Sequence, residues 1–434
     1  MQTFDVVALL TVLTALLSYV NVRVLKLPSA IGLMALTLVF CTGLLLAESV
    51  VPGLADFAKA AVAHFSFGEA LLHGMLGFLL FAGALHFDVG DLHRNMWPIA
   101  VLATVGVVLS TALVGSMSWL AFNAAGFPVR PIDALLFGAL ISPTDPIAVL
   151  GLLKQAGAPR RLEAQIAGES LFNDGVGVVL FLGLLGVSTG REPADAFHIT
   201  AMFIREALGG AAFGLAVGLV FYRMFKSVDH YQVEILLSLA LVTGGYAAAD
   251  ALHLSGPIAT VVAGLVIGNH GRRHAMSAVT KANLDLFWEL IDETLNAVLF
   301  VALGMELLVL RFTGRGLAVG AVAVVIVLVA RLVSVGLPVW VLRRSEAFEP
   351  AAVPILTWGG LRGGISVALA LSIPANGPGG GPSRDLILGT TYVVVVFSIL
   401  VQGLTLRTFT RHWLGRVSRS PQVRSALGID DPSA

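Results

Sequence analysis

The sequence predicts an all-α, polytopic membrane protein of about 13 transmembrane helices, built as two inverted six-helix repeats with two unwound helices that cross. Three observations carry this prediction. Of the 434 residues, 57% are apolar and 12% are charged, whereas a soluble domain carries roughly 25% charged residues. Apolar runs recur at lengths suited to about 30 Å of hydrocarbon. Two of those runs are interrupted at corresponding places in the two halves.

The runs lie near residues 5–24, 27–47, 67–86, 97–122, 131–153, 162–187 and 198–226, then 231–250, 253–269, 286–310, 315–344, 350–374 and 384–412. Met1 to Asp5 holds an acid and no base, unlike the basic start of a signal peptide, so the first run is expected to persist as a helix. Placing the N-terminus outside puts 18 of the 27 Lys and Arg residues in cytoplasmic loops and tail, from Arg23 and Lys26 to the cluster between Arg407 and Arg424. The opposite face keeps six: Lys59, Arg130, Arg191, Arg311, Arg315 and Arg384. The asymmetry points to an odd number of spans and a cytoplasmic C-terminus. The lone cysteine, Cys41, allows neither an intrachain disulfide nor a cysteine metal site.

The seventh run separates two sets of six that enter the membrane with opposite polarity, the layout of an inverted repeat. The domain reading is therefore a transmembrane domain over 1–414, with repeat one at about 5–187, a linker helix at about 198–226 and repeat two at about 231–412. A short cytoplasmic tail follows over 415–434. The fifth run of each set is broken, one by Ser142-Pro143-Thr144-Asp145-Pro146 and the other by Gly359-Gly360-Leu361-Arg362-Gly363-Gly364. Proline removes a backbone donor and restricts the residue before it, and each glycine weakens a helix by about 1 kcal/mol. Unwound backbone at membrane depth is tolerated where it is buried in protein or lines a cavity. Two merely kinked helices are the plainer alternative.

The sixth run contains Glu169, Ser170, Asn173 and Asp174. An acid at mid-bilayer costs about 2.5–3.5 kcal/mol on insertion scales, which makes it a functional candidate. Ser170 and Asp174 are four apart, as are Glu169 and Asn173, so a hydroxyl, an amide and two carboxylates share one helix face. Counted along their helices at 1.5 Å per residue, Asp174, Asp145 and Arg362 lie about 18–21 Å deep and meet near the membrane centre. Broken helices direct partial charges into that centre. Asp145 suits the positive ends and Arg362 the negative ends, a structural role that for Arg362 competes with direct contact to an ion.

The strings SPTDPIAVLGLLK (Ser142 to Lys154), AGESLFNDGVGVVLF (Ala167 to Phe181) and WGGLRGGISVALALSIP (Trp358 to Pro374) resemble the monovalent cation:proton antiporter-1 family, the NhaP-type prokaryotic exchangers. His253 to Asn269 and Phe287 to Leu307 fit the same pattern. The resemblance implies Na+ (or Li+) for H+ exchange in a bacterial plasma membrane, with no cofactor, no nucleic-acid partner, and a homodimer in which a core moves against a fixed domain. It implies that Asp174 carries cation and proton, that Ser170 and Thr144 help coordinate the cation, that Glu169 and Arg362 form a core salt bridge, and that Asn173 with Asp145 supports the crossing. One departure concerns the third run, where Leu79 to His86 has no central acid, leaving backbone carbonyls or water to supply oxygens.

Sodium is a hard cation that prefers oxygen ligands, so cation and proton compete for one carboxylate. A carrier loaded with either has the same charge, which predicts electroneutral 1:1 exchange. A K+/H+ antiporter of the same fold is the main rival, and a cation channel the lesser one. The chain has no nucleotide-binding or zinc-protease motif of an enzyme. In the tenth run, Glu289, Asp292, Glu293 and Asn296 follow helical spacing; an ion-attracting funnel and a solvated helix end both account for them. Arg331 fits structural pairing or snorkelling, and His73, His86 and His253 fit structural roles.

Overall fold

The computed structural model describes residues 3–56, 58–59, 62, 67–193, 195–310, 312–342, 348–349, 351–375 and 381–418. Arg311, Arg343, Arg344 and the expected tail from residue 419 onward lie outside them, and nothing is described of the His73 side chain. Among the described residues every regular element is helical.

The chain forms α1 (Thr3–Val20), α2 (Ser29–Glu48), α3 (Leu76–His86) and α4 (Met96–Ala124). The expected fifth run is two half-helices, α5 (Pro131–Ile141) and α6 (Ile147–Ala156). Next come α7 (Arg160–Ser188), α8 (Ala196–Ser227), α9 (Tyr231–Ala251), α10 (Gly256–Val266), α11 (Ala278–Met305) and α12 (Gly314–Val341). The expected twelfth run is again divided, into α13 (Ala352–Trp358) and α14 (Gly364–Leu371), before α15 (Ser383–Arg416). Helical structure therefore lies over each expected run. Among the described residues, eight helices are individually long and apolar enough to cross a membrane: α1, α2, α4, α7, α8, α9, α12 and α15. The acids of α11 lower its hydropathy, and the breaks shorten the half-helices.

Burial sorts these helices into centre and periphery. The most apolar stretch of α7 is 67% buried, against 22% for α8, so the helix carrying Glu169 and Asp174 sits in the middle of the bundle. Small residues let the helices approach, since lipid gives apolar side chains no reason to prefer protein and close packing must bind helices instead. A Cβ on Gly138 of α5 would lie 2.3 Å from the Thr111 carbonyl oxygen of α4. Backbone cannot rotate out of the way. Gly138→Ala is expected to destabilise the protein by about 1–3 kcal/mol through overpacking, read as a lower thermal midpoint in detergent. An unchanged midpoint would show that α4 and α5 can separate freely.

Both breaks end where the sequence requires. Pro143 and Pro146 bound the unwound stretch after α5, and α6 closes at Gly157, whose φ of 75° suits glycine. The second break runs Gly359 to Gly363, with Gly363 extended at φ −111° and ψ −162°.

Candidate functional site: a buried carboxylate at the crossing of two broken helices

The two unwound stretches meet. The Asp145 amide donates to the Leu361 carbonyl at 2.8 Å, so each break uses backbone groups freed by the other. The approach depends on glycine: a Cβ at Gly363 would lie 2.2 Å from Asp145 Oδ2. Helix α7 presses against the same point, where a Cβ at Gly177 would lie 2.2 Å from Pro143 Cγ.

Arg362 is 1% exposed, and its Nη1 donates to the Ser142 carbonyl and, at 2.8 Å, to the Pro143 carbonyl. These oxygens close the C-terminal end of α5, where the helix dipole concentrates negative charge. The guanidinium thus occupies the structural position expected of it. Its backbone amide donates to Ser398 Oγ at 2.9 Å. Ser398 opens a π-helical turn within α15.

The expected Glu169–Arg362 salt bridge is not formed; Glu169 pairs with Arg331 of α12. Arg331 Nη1 and Nη2 reach the two carboxylate oxygens, the second at 2.9 Å, and Nε donates to the Leu356 carbonyl at 3.3 Å. A forked guanidinium facing both oxygens is the strong geometry for this pair. The physical reason for the difference is that Arg362 is already engaged by the α5 carbonyls, whereas α12 brings a second buried arginine directly to Glu169. Arg331 is therefore a pairing residue and does not snorkel.

Thr144, Ser170 and Asn173 form one network. Asn173 Nδ2 donates to Thr144 Oγ1 at 2.8 Å, the Thr144 amide donates to Asn173 Oδ1 at 3.3 Å, and Thr144 Oγ1 lies 3.0 Å from Ser170 Oγ. Asn173 thus grips the first break through Thr144, the residue before Asp145. Asp174 is 6% exposed and lines a cavity of about 290 Å³ together with Thr144, Asp145 and Ser366. Ser170 and Asn173 are not on that wall. Thr144 is on the wall, and its hydroxyl is held by Ser170 and Asn173.

The remaining polar lining comes from α11. Asp292 and Asn296 reach the cavity, and Asn296 Nδ2 donates to Asp292 Oδ1 at 3.1 Å. Glu289 and Glu293 of the same sequence pattern are exposed. The single face expected for these four residues therefore divides, two acids exposed and the other pair turned to the cavity. The third run does give the cavity an apolar wall, through Leu76, Leu79, Leu80 and Gly83. Side-chain oxygens absent from that wall occur instead on α11, in Asp292 and Asn296. Ser366 carried no signal in the sequence beyond its place just after the glycine-rich break.

His86 has a structural setting, with Nδ1 2.8 Å from the Ala82 carbonyl and Nε2 3.7 Å from Asp285 Oδ1. His253 lies in the turn before α10 with a φ of 55°. Among the described residues no cluster of three His, Cys, Asp or Glu side chains suits a resident metal ion.

The chain is similar to known proteins in sequence and in fold. The sodium/hydrogen exchanger, transmembrane, family matches residues 10–412. The chain is 49% identical over 419 residues to the Na(+)/H(+) antiporter NhaP of Pseudomonas aeruginosa, covering 94% of this chain and 96% of that protein. It is 34% identical over 398 residues to the Na(+)/H(+) antiporter NhaH of Halobacillus dabanensis, covering 89% and 92%. The solved sodium proton antiporter MjNhaP1 from Methanocaldococcus jannaschii at pH 8 has the same fold, with a TM-score of 0.74 at 20% identity over 96% of this chain and 100% of that one. A match that takes in both broken helices and α7 establishes that this multi-pass membrane chain belongs to the sodium/hydrogen exchanger family.

Proposed function

We propose that this protein exchanges Na+, or Li+, for H+ across a bacterial plasma membrane, with Asp174 taking up either ion in turn. The observation that carries the reading is a buried carboxylate on a cavity wall at the meeting point of two broken helices. The relatives named as Na(+)/H(+) antiporters, at 49% and 34% identity, support it. Transporters of inverted-repeat design place ions at such breaks and alternate access by moving one bundle against another.

Asp174 supplies the charge that holds the cation, and Thr144 supplies a hydroxyl oxygen beside it, with Ser170 and Asn173 fixing the Thr144 side chain. Glu169 and Arg331 neutralise one another. Arg362 satisfies the end of α5, and an arginine stays protonated in any working condition, so it is no proton carrier. With one carboxylate carrying the exchange, a protonated and a sodium-loaded carrier have equal charge, and turnover is electroneutral at 1:1. The reading includes thirteen crossings with the N-terminus outside, two inverted repeats flanking α8, and a homodimer in the lipid bilayer that needs no cofactor.

The test is proton efflux from proteoliposomes on addition of NaCl, LiCl or KCl, with and without an imposed voltage. Expected are Na+- and Li+-driven efflux, little response to K+, and rates unaffected by voltage. Efflux driven by K+ alone would make the protein a K+/H+ antiporter. Cation flux without proton movement would make it a channel.

A further inference from the structure

The oxygen inventory at the cavity is short for a single-carboxylate site. Thr144 Oγ1 already accepts from Asn173 Nδ2 and shares a hydrogen with Ser170 Oγ, so it has at most one lone pair left for a cation. Hard cations gather about six oxygens. Across the same cavity, α11 presents Asp292 and Asn296.

The orientation of the Asn296 amide follows from chemistry. An ionised carboxylate only accepts hydrogen bonds, so the amide nitrogen must be the group facing Asp292 Oδ1 at 3.1 Å. That leaves Asn296 Oδ1, on a side chain 5% exposed, without a hydrogen-bond partner. A buried carbonyl oxygen left unpaired is destabilising, and it is retained on a residue of the cavity wall beside a carboxylate. The two residues are four apart, so one helix face brings both side chains to the cavity wall.

Resting on the exchange reading above, we propose that Asn296 Oδ1 and the Asp292 carboxylate form a second alkali-cation station in the Asp174 cavity. This station holds the ion before it reaches Asp174 and sets the preference among small cations. The amide hydrogen bond fixes the spacing of the two oxygens, so ion size is read by a braced pair. Asp174 remains the group where cation and proton exclude each other.

The test uses the full-length protein in proteoliposomes, with NaCl and LiCl as probes, and compares wild type with Asp292→Asn, Asn296→Ala and Asn296→Asp. Losing a ligand used equally in the bound state and at the barrier raises KM more than it lowers kcat. Expected is a KM for Na+ at least tenfold higher in Asp292→Asn and Asn296→Ala, a smaller change in kcat, and a Li+-to-Na+ KM ratio shifted by threefold or more. Asn296→Asp, which keeps an oxygen at that position, returns KM toward the wild-type value. A purely structural pair would lower the amount of folded protein without moving the ion ratio. If Asn296→Ala does not fold, the near-isosteric Asp292→Asn decides the question. KM values and ion ratios within twofold of wild type would overturn the second station while leaving the exchange reading intact. Absence of cation-driven proton movement in the wild type would instead overturn the exchange reading itself.

Discussion

Asp174→Asn is expected to reduce Na+-driven proton efflux to the level of protein-free liposomes while the protein still folds. The substitution keeps the side chain's size and one oxygen, so the packing of α7 against the two breaks is preserved. It removes the negative charge that offsets the cation and the only atom in this role able to bind a proton. A neutral amide in this cavity can neither bind Na+ with a compensating charge nor release a proton in exchange. The readouts separate the two effects: a size-exclusion profile and thermal midpoint close to wild type, with no efflux at any NaCl concentration. Wild-type pH recovery in this variant would take the exchange away from Asp174 altogether.

The largest effect on stability is expected from Arg331→Met. It leaves Glu169, 1% exposed, as an unpaired charge in the centre of the bundle, and breaking a buried ion pair from one side costs about 3–5 kcal/mol. Removing both charges relieves most of that cost, because well-packed neutral groups at a buried pair are often no worse than the pair itself. The double variant Glu169→Gln with Arg331→Met is therefore expected to melt well above the Arg331→Met single variant. A double-mutant cycle isolates the coupling. Glu169 should couple more strongly to Arg331 than to Arg362, whose guanidinium is held by the Ser142 and Pro143 carbonyls. The reverse order, measured from thermal midpoints in detergent, would restore the pairing expected from family resemblance.

Much of the site was legible because it is written in local chemistry. Prolines 143 and 146 and the glycines from Gly359 to Gly364 break helices wherever they occur, so both unwound stretches could be located before any contact was known. Asp174 stood out because an acid in an apolar run has few structural explanations. Pairings between helices were less accessible. Arg331 and Arg362 are both buried arginines with no local clue to their partners, and the outcome depends on how α12 and the second break are rotated about α7. The α11 face shows the same limit. Helical spacing grouped Glu289, Asp292, Glu293 and Asn296, but only packing against α3 and the breaks turns Asp292 and Asn296 inward and leaves the two glutamates exposed. Ser170 illustrates a finer point, since spacing put it on the same face as Asp174, while in the fold it bonds to Thr144 and does not line the cavity.

The most direct test of mutual exclusion at Asp174 is calorimetric titration of Na+ into the detergent-solubilised protein, repeated in buffers of different ionisation enthalpy. The expected result is close to one proton released per sodium bound at Asp174 within the active pH range, and no sodium-linked proton release in Asp174→Asn. Sodium binding with no accompanying proton release throughout that range would mean that metal and hydrogen ion occupy separate groups, contrary to exchange at a single carboxylate.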